Sequence, residues 1–357
     1  SSTVFGAFSV ALLAAAVVGP IAGRLIDRRD GRHVLMAANV VFACGLAALG
    51  LAHDAWGLFG AWMVMGVAMG SGLYEAAFAT LVRLYGKGSR GAITGVTLFA
   101  GFASTIGWPL TAWLEAHLGW QGACFAWAGV HLIFALPLNA SLPSPTARSV
   151  GVGVGMAPDA HAPVAHARLA YILLAFVFAI TWFVSTAMAA HLPRLLVAGG
   201  ATLTAAVGIG ALVGPAQVAG RLLEFGLLRK MQPLFAARIA TLMHPLGVAA
   251  LMIFGMPAAA AFAILHGLGN GILTIAIGTL PLLMFGSKGY GQRQGMLMIP
   301  ARVVQAMAPW LFGVCLSRWG SHALLLSAAL GIVAFGALAL LPRPQAASAI
   351  PPPAQPS

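Results

Sequence analysis

The chain has 357 residues, of which 60% are apolar and only 7% charged, with a net charge of +12. Ordinary soluble domains carry about 25% charged residues, so water is excluded as the main solvent. The three cysteines, Cys44, Cys124 and Cys315, lie far apart in apolar runs without a Cys-x-x-Cys spacing, so neither a disulfide framework nor a metal site is implied.

Runs of about 20 apolar residues, the length a hydrocarbon core requires, occur eleven times, near 4–23, 34–52, 57–82, 91–114, 121–139, 169–190, 202–223, 235–255, 258–285, 295–316 and 323–341. They are longer and more continuous than barrel strands, which alternate over about ten residues. The sequence therefore predicts an all-α polytopic membrane protein. The first run lacks the charged leader and cleavage site of a signal peptide.

Basic residues concentrate in alternate loops. Sixteen of the nineteen, from Arg24, Arg28, Arg29 and Arg32 through Arg83, Lys87 and Arg90 to Arg221, Arg229, Lys230 and Arg238, fall on one face, whereas Arg194 and Arg318 fall on the other and Arg302 sits inside a run. The positive-inside rule puts the rich face in the cytoplasm, the inner membrane of a bacterium being the expected location, with a cytoplasmic C-terminus. Because this bias accounts for the charge, a nucleic-acid partner is not expected.

The stretch Ala22-Gly-Arg-Leu-Ile-Asp27 returns 197 residues later as Ala219-Gly-Arg-Leu-Leu-Glu224, each preceded by Val-Gly-Pro. Such an echo marks tandem halves. It makes the first run equivalent to the seventh, a period of six, so the sixth run has no counterpart and the chain reads as a twelve-helix protein lacking its first helix. Expected units are an N-terminal bundle at 1–142, a flexible cytoplasmic linker at 143–167, a C-terminal six-helix bundle at 168–342 and a disordered tail at 343–357; the isolated His161 and His166 of the linker form no metal tract. Parallel repeats of this kind build transporters with a solute site between the halves.

The sequence Gly23-Arg-Leu-Ile-Asp27-Arg28-Arg-Asp-Gly31-Arg32-His resembles the loop between the second and third helices of the major facilitator superfamily, which reads Gly-x-x-x-Asp-Arg-x-Gly-Arg followed by a basic residue. It departs from that pattern by one extra residue before Gly31 and by His33 at the end. Leu73-Tyr-Glu-Ala-Ala-Phe78, the 101–109 stretch ending in Trp108-Pro109, Gly119-Trp120, Gly214-Pro-Ala-Gln217 and Gly278-Thr-Leu-Pro281 with Tyr290-Gly-Gln-Arg293 are similar to a bacterial branch of it. The resemblance implies two pseudo-symmetric bundles and a small solute moved by alternating access. It also implies a monomer in the lipid bilayer without a cofactor. Gly23, Asp27, Arg28, Gly31 and Arg32 would form a cytoplasmic latch. Gly119-Trp120 also occurs in monocarboxylate and oxalate/formate carriers, which favours an organic anion, and protons are the candidate coupling ion.

Ionisable groups within lipid-spanning runs are functional candidates. Glu75 lies about 12 Å from the basic end and reads either as a proton carrier or as a gate contact. Arg302, with Gln305 on the same helix face, requires an anion, either the solute carboxylate or Glu75. His266, Asn270 and Thr274 recur every four residues and form one polar stripe, which the resemblance makes a cavity wall, with His266 a possible proton site. Trp182, among Thr181, Ser185 and Thr186, reads as a solute contact or as packing. His131, His244, Trp108 and Gln217 read as structural. Neither a phosphate-binding Gly-x-x-x-x-Gly-Lys loop nor a paired nucleophile and base occurs, so the expectation is transport without enzymatic chemistry. The rival reading is a transport-inactive membrane scaffold or sensor.

Overall fold

A computed structural model describes residues 2–143, 167–228 and 231–341. Linker residues 144–166 with His161 and His166, the tail from 342, and the side chain of Trp108 lie outside them. Among the described residues all regular structure is helical: α1 (Ser2–Arg28), α2 (Gly31–Gly50), α3 (Ala55–Gly72), α4 (Tyr74–Tyr85), α5 (Arg90–Gly101), α6 (Ala103–Val130), α7 (Leu136–Ala140), α8 (Ala167–Ala198), α9 (Leu203–Ala211), α10 (Val213–Gly226), α11 (Pro233–Phe254), α12 (Ala259–Phe285), α13 (Tyr290–Trp319) and α14 (Ala323–Ala339). Lipid offers the backbone no hydrogen-bonding partner, so an apolar run must satisfy its amides internally, and a helix does so.

Nine apolar helical stretches among the described residues are long enough to cross a bilayer. Ala55–Gly101 holds 47 residues and Tyr290–Ala339 holds 50, about 70 Å each if straight, against a hydrocarbon core of about 30 Å. Glycines fold them back. Gly86 and Gly320 inside them, and Gly119 inside α6, have φ of 56°, 55° and 69°, a region that residues with a Cβ avoid. Divided at these glycines, the described residues form eleven helical segments that lie near the apolar runs. Asp30 and Asp54 begin α2 and α3 by accepting the amides of Arg32 and Gly57, which otherwise lack a helical partner.

The crossings differ from uninterrupted rods at two functional points. The third breaks at Leu73, whose extended backbone (φ −88°, ψ −161°) separates α3 from α4. The seventh breaks after Leu212, between α9 and α10, ahead of Pro215. Its echo Pro20 is accommodated inside the single helix α1.

In the second bundle α8 is central, with Leu174, Phe178, Met188 and Leu195 buried against α11 to α14. The smaller core around Ile26, Phe78 and Ile93 takes in Leu282 and Tyr290 of the second bundle, so it bridges the two halves at the end that carries the basic loops. At the opposite end α6 packs on α2 and α5, leaving Ile106 and Trp113 exposed by 64% and 56%. The bundles are joined at the basic end, and α1 continues along α13 beyond it as far as Ser9, whose Oγ lies 2.9 Å from the Ala306 carbonyl oxygen.

Candidate functional site

Two seams join the bundles, and the echoed motif supplies an acid to each. At the first, α1 lies antiparallel to α13 with Gly19 and Gly23 against Gly295 and Gly291. A Cβ on Gly23 would overlap the Gly291 carbonyl, and one on Gly295 would stand 2.6 Å from the Gly19 backbone. One turn beyond Gly23, the Asp27 carboxylate accepts the Gly291 amide at 2.9 Å and the Gln292 amide at 2.8 Å. These amides belong to the first turn of α13, where helical N–H groups have no intrahelical acceptor and the dipole favours an anion.

The remaining latch residues take separate places. Gly31 abuts Thr80 of α4 so closely that a Cβ would collide with it. Arg28 is exposed, and Arg32 lies 3.9 Å from Asp30, one of the two residues that stand between Arg28 and Gly31 where the family pattern has one. Asp30 caps α2. Asp27→Asn retains one acceptor oxygen but turns an amide N–H toward a backbone N–H. Hydrogen bonds to charged groups contribute about 1.5–3 kcal/mol each, so the variant is expected to shift the seam toward its open form about tenfold or more. Cross-linking of a cysteine pair placed across α1 and α13 measures that shift.

At the second seam Glu224, 2% exposed, accepts Arg90 Nη2 at 2.9 Å and Thr94 Oγ1 at 3.3 Å, both from α5. Here side chains replace the glycine contact. Gly220, the echo of Gly23, packs instead on Leu268 of its own bundle, and Gly101 of α5 faces the Arg221 guanidinium. Arg221 sits among the loop cations in the sequence reading, yet it is only 5% exposed, whereas its echo Arg24 is exposed. Its Nε lacks a hydrogen-bonding partner and its guanidinium neighbours the Tyr74 hydroxyl. Arg221 was legible only as the counterpart of Arg24, a signal that points to the wrong environment.

Between the seams lies the ion pair. The break at Leu73 puts Glu75 in the first turn of α4, where free amides favour a carboxylate. Arg302 Nη2 donates to Glu75 Oε1 at 2.8 Å and Nη1 donates to Gln305 Oε1 at 2.8 Å, while the guanidinium carbon stands 4.9 Å from the Trp182 ring. The side chains of Arg302 and Glu75 are 8% and 11% exposed. Of the two anions expected for Arg302, Glu75 occupies the position in this conformation. Trp182 contributes its face to that cation, and its indole N–H is buried without a partner. The residues come from α4, α8 and α13, so the cluster spans both bundles.

The polar stripe on α12 divides. His266 and Asn270 border a cavity of about 220 Å³ with Ser185 of α8 and Gln217 of α10. Asn270 Nδ2 donates to Ser185 Oγ at 3.1 Å. Thr274 does not border this cavity, and its hydroxyl donates to the Asn270 carbonyl of its own helix. His131, expected to be structural, bonds Asn39 and stacks on Phe42. His244 and Gln217, read the same way, instead belong to the cavity wall or to the groups behind it.

The model of the Major Facilitator Superfamily matches residues 1–264 of the chain. No curated protein sequence matches it significantly. Among solved structures, the proton:xylose symporter XylE bound to 6-bromo-6-deoxy-D-glucose superposes with a TM-score of 0.74 at 13% identity, covering 96% of this chain and 86% of that one. The human organic anion transporter MFSD10 (TETRAN) superposes with a TM-score of 0.68 at 16% identity, covering 94% and 83%. At such identities the fold is what is shared. With the greater part of the sequence matched, and with its two bundles meeting through the echoed acids, the chain belongs to the major facilitator superfamily.

Proposed function

We propose that the chain is a secondary active transporter of a bacterial inner membrane, carrying a small organic anion by alternating access and coupling it to protons at Glu75. The observation that carries this reading is the Arg302–Glu75 pair, buried between the bundles at 2.8 Å. A solute carboxylate reaching Arg302 competes with Glu75 for the same guanidinium. Once released, Glu75 is a carboxylate in a desolvated place without its counter-ion, and the proton is the small cation that neutralises it. Anion and proton then travel together.

A second cation favours an anionic solute over a neutral one. Arg221 is buried at the neighbouring seam while the nearby acid, Glu224, is held by Arg90, and an intramembrane arginine requires an anion or a polar path. Trp182 and Gln305 would orient the Arg302 guanidinium toward the solute. In this cycle the latch at Asp27 and the pair at Glu224 close the cytoplasmic end while the cavity bordered by His266 and Asn270 receives solute from the other side.

The test is uptake of a panel of organic acids, sugars and cationic drugs into proteoliposomes under an imposed pH gradient. Organic acids are expected to accumulate with the gradient. Glu75→Gln is expected to keep solute exchange but lose accumulation above equilibrium. Uptake that ignores the gradient in both proteins would rule out coupling at Glu75.

A further inference from the structure

Behind the cavity, three polar side chains from three helices form a line that the ion pair does not touch. Nδ1 of His266 (α12) lies 3.1 Å from Nδ1 of His244 (α11), and Nε2 of His244 lies 3.0 Å from Oγ of Ser327 (α14). The three residues are 5%, 7% and 0% exposed. The Ser327 hydroxyl also contacts the Leu324 carbonyl at 2.8 Å, a bond in which only the hydroxyl can donate.

These contacts assign the protons. A hydroxyl has one proton and a neutral imidazole has one N–H. With the Ser327 proton given to Leu324, its oxygen accepts from His244, so the His244 proton is on Nε2. His244 Nδ1 is then bare and accepts, so the His266 proton is on Nδ1. Nε2 of His266 is left as a lone pair, since the hydrogen bond of this ring seen among the described residues is the one through Nδ1, and the side chain borders the cavity.

Among the described residues, no charged side chain other than the two histidines lines this place. The polar side chains facing the pair are Thr181 and Ser185 from α8, Gln217 from α10, Thr241 from α11, Asn270 from α12 and Ser327 from α14. Arg238, two turns before His244 on α11, turns its guanidinium to the Leu338 and Ala339 carbonyls.

We propose that the His244–His266 pair is a proton-holding site in the second bundle, in which Nε2 of His266 takes one proton from the solute cavity and His244 is the positioning residue. Water or a protonated solute in the cavity supplies the proton, and no bond within the protein breaks. The imidazolium formed at His266 keeps its Nδ1–H bonded to the His244 lone pair. A second proton on the pair would put N–H against N–H at 3.1 Å, so the capacity is one. This site goes beyond the reading of Glu75, lies in the other bundle, and does not depend on it.

The experiment uses the full chain in nanodiscs with ring-15N-labelled histidine, titrated from about pH 8.5 to 3 by NMR with protons as the only ligand. At high pH His266 is expected as the Nδ1–H tautomer, and acidification is expected to produce one imidazolium for the pair. His266→Gln should remove that titration. His244→Gln should release His266 to the Nε2–H tautomer that free imidazoles favour. If either variant fails to fold, the tautomer and proton count of the parent decide. An Nε2–H tautomer at high pH, two separate titrations, or no titration in the folded protein would overturn the proposal. The same titration in Glu75→Gln should be unchanged, and gradient-driven uptake judges Glu75 by itself, so the two readings fail separately.

Discussion

Arg302→Ala is expected to abolish solute uptake while the protein still folds and reaches the membrane in normal amount. The substitution strips Glu75 of the guanidinium 2.8 Å away and leaves Gln305 and the Trp182 face without their cation. Removing one partner of a buried ion pair costs about 3–5 kcal/mol, and each 1.4 kcal/mol is a factor of about ten. If that cost falls on the conformer that joins the bundles, its population drops by a factor of about 10² to 4 × 10³. Insertion survives, because it rests on apolar length rather than on this pair. Arg302→Lys keeps the charge but cannot hold a carboxylate, an amide and a ring at once, so its uptake should fall between the two. Neutralising both partners, as in Glu75→Gln with Arg302→Gln, should restore a closed seam without restoring uptake. Parental uptake by Arg302→Ala, at equal protein level in proteoliposomes, would show that the cluster is structural.

Gly23→Val is expected to hold the basic end of the molecule open. Its side chain would enter space filled by the Gly291 carbonyl, and backbone cannot rotate away as a side chain does. Overpacking of a tight contact costs about 1–3 kcal/mol or more, enough to open the seam about tenfold or more. Ala79, 2% exposed and adjacent to Gly291, reports the opening. On a background with Cys44, Cys124 and Cys315 replaced, Ala79→Cys should react slowly with a membrane-impermeant thiol reagent in the parent and at least ten times faster with Gly23→Val. Gly220→Val supplies the control. It collides with Leu268 inside the second bundle, so it should lower stability without exposing residue 79. Equal labelling of the parent and Gly23→Val would mean that the glycine contact does not govern closure.

Part of this site was readable before any helix was packed. The resemblance put Asp27 in a cytoplasmic latch, and its carboxylate accepts the first-turn amides of α13. Arg302 was expected to require an anion, with Glu75 among the candidates, and that pair forms. The second inference follows from a local rule, since a charge in lipid demands a partner and few partners are available. The buried place of Arg221 and the partner of His244 were not legible, for the converse reason. A lone histidine among apolar residues has no local demand that names His266, 22 residues away. Arg221 repeats Arg24 in sequence, yet the α5 side of its seam offers Gly101 and the Tyr74 hydroxyl beside it, whereas Arg24 meets no such recess.

Apolar runs and an echoed motif were enough to read that the chain crosses a membrane as helices, roughly where those helices lie, and that two copies of one pattern are present. Hydrocarbon permits few secondary structures, and glycine or aspartate must mark each tight reversal. Helix packing was needed to decide which echoed glycine meets backbone across the seam, that α4 restarts at Tyr74 with Glu75 in its first turn, and that His244 meets His266. Those outcomes depend on side chains 22 to 264 residues apart, whose contacts arise from helix packing in three dimensions and leave no periodic trace along the chain.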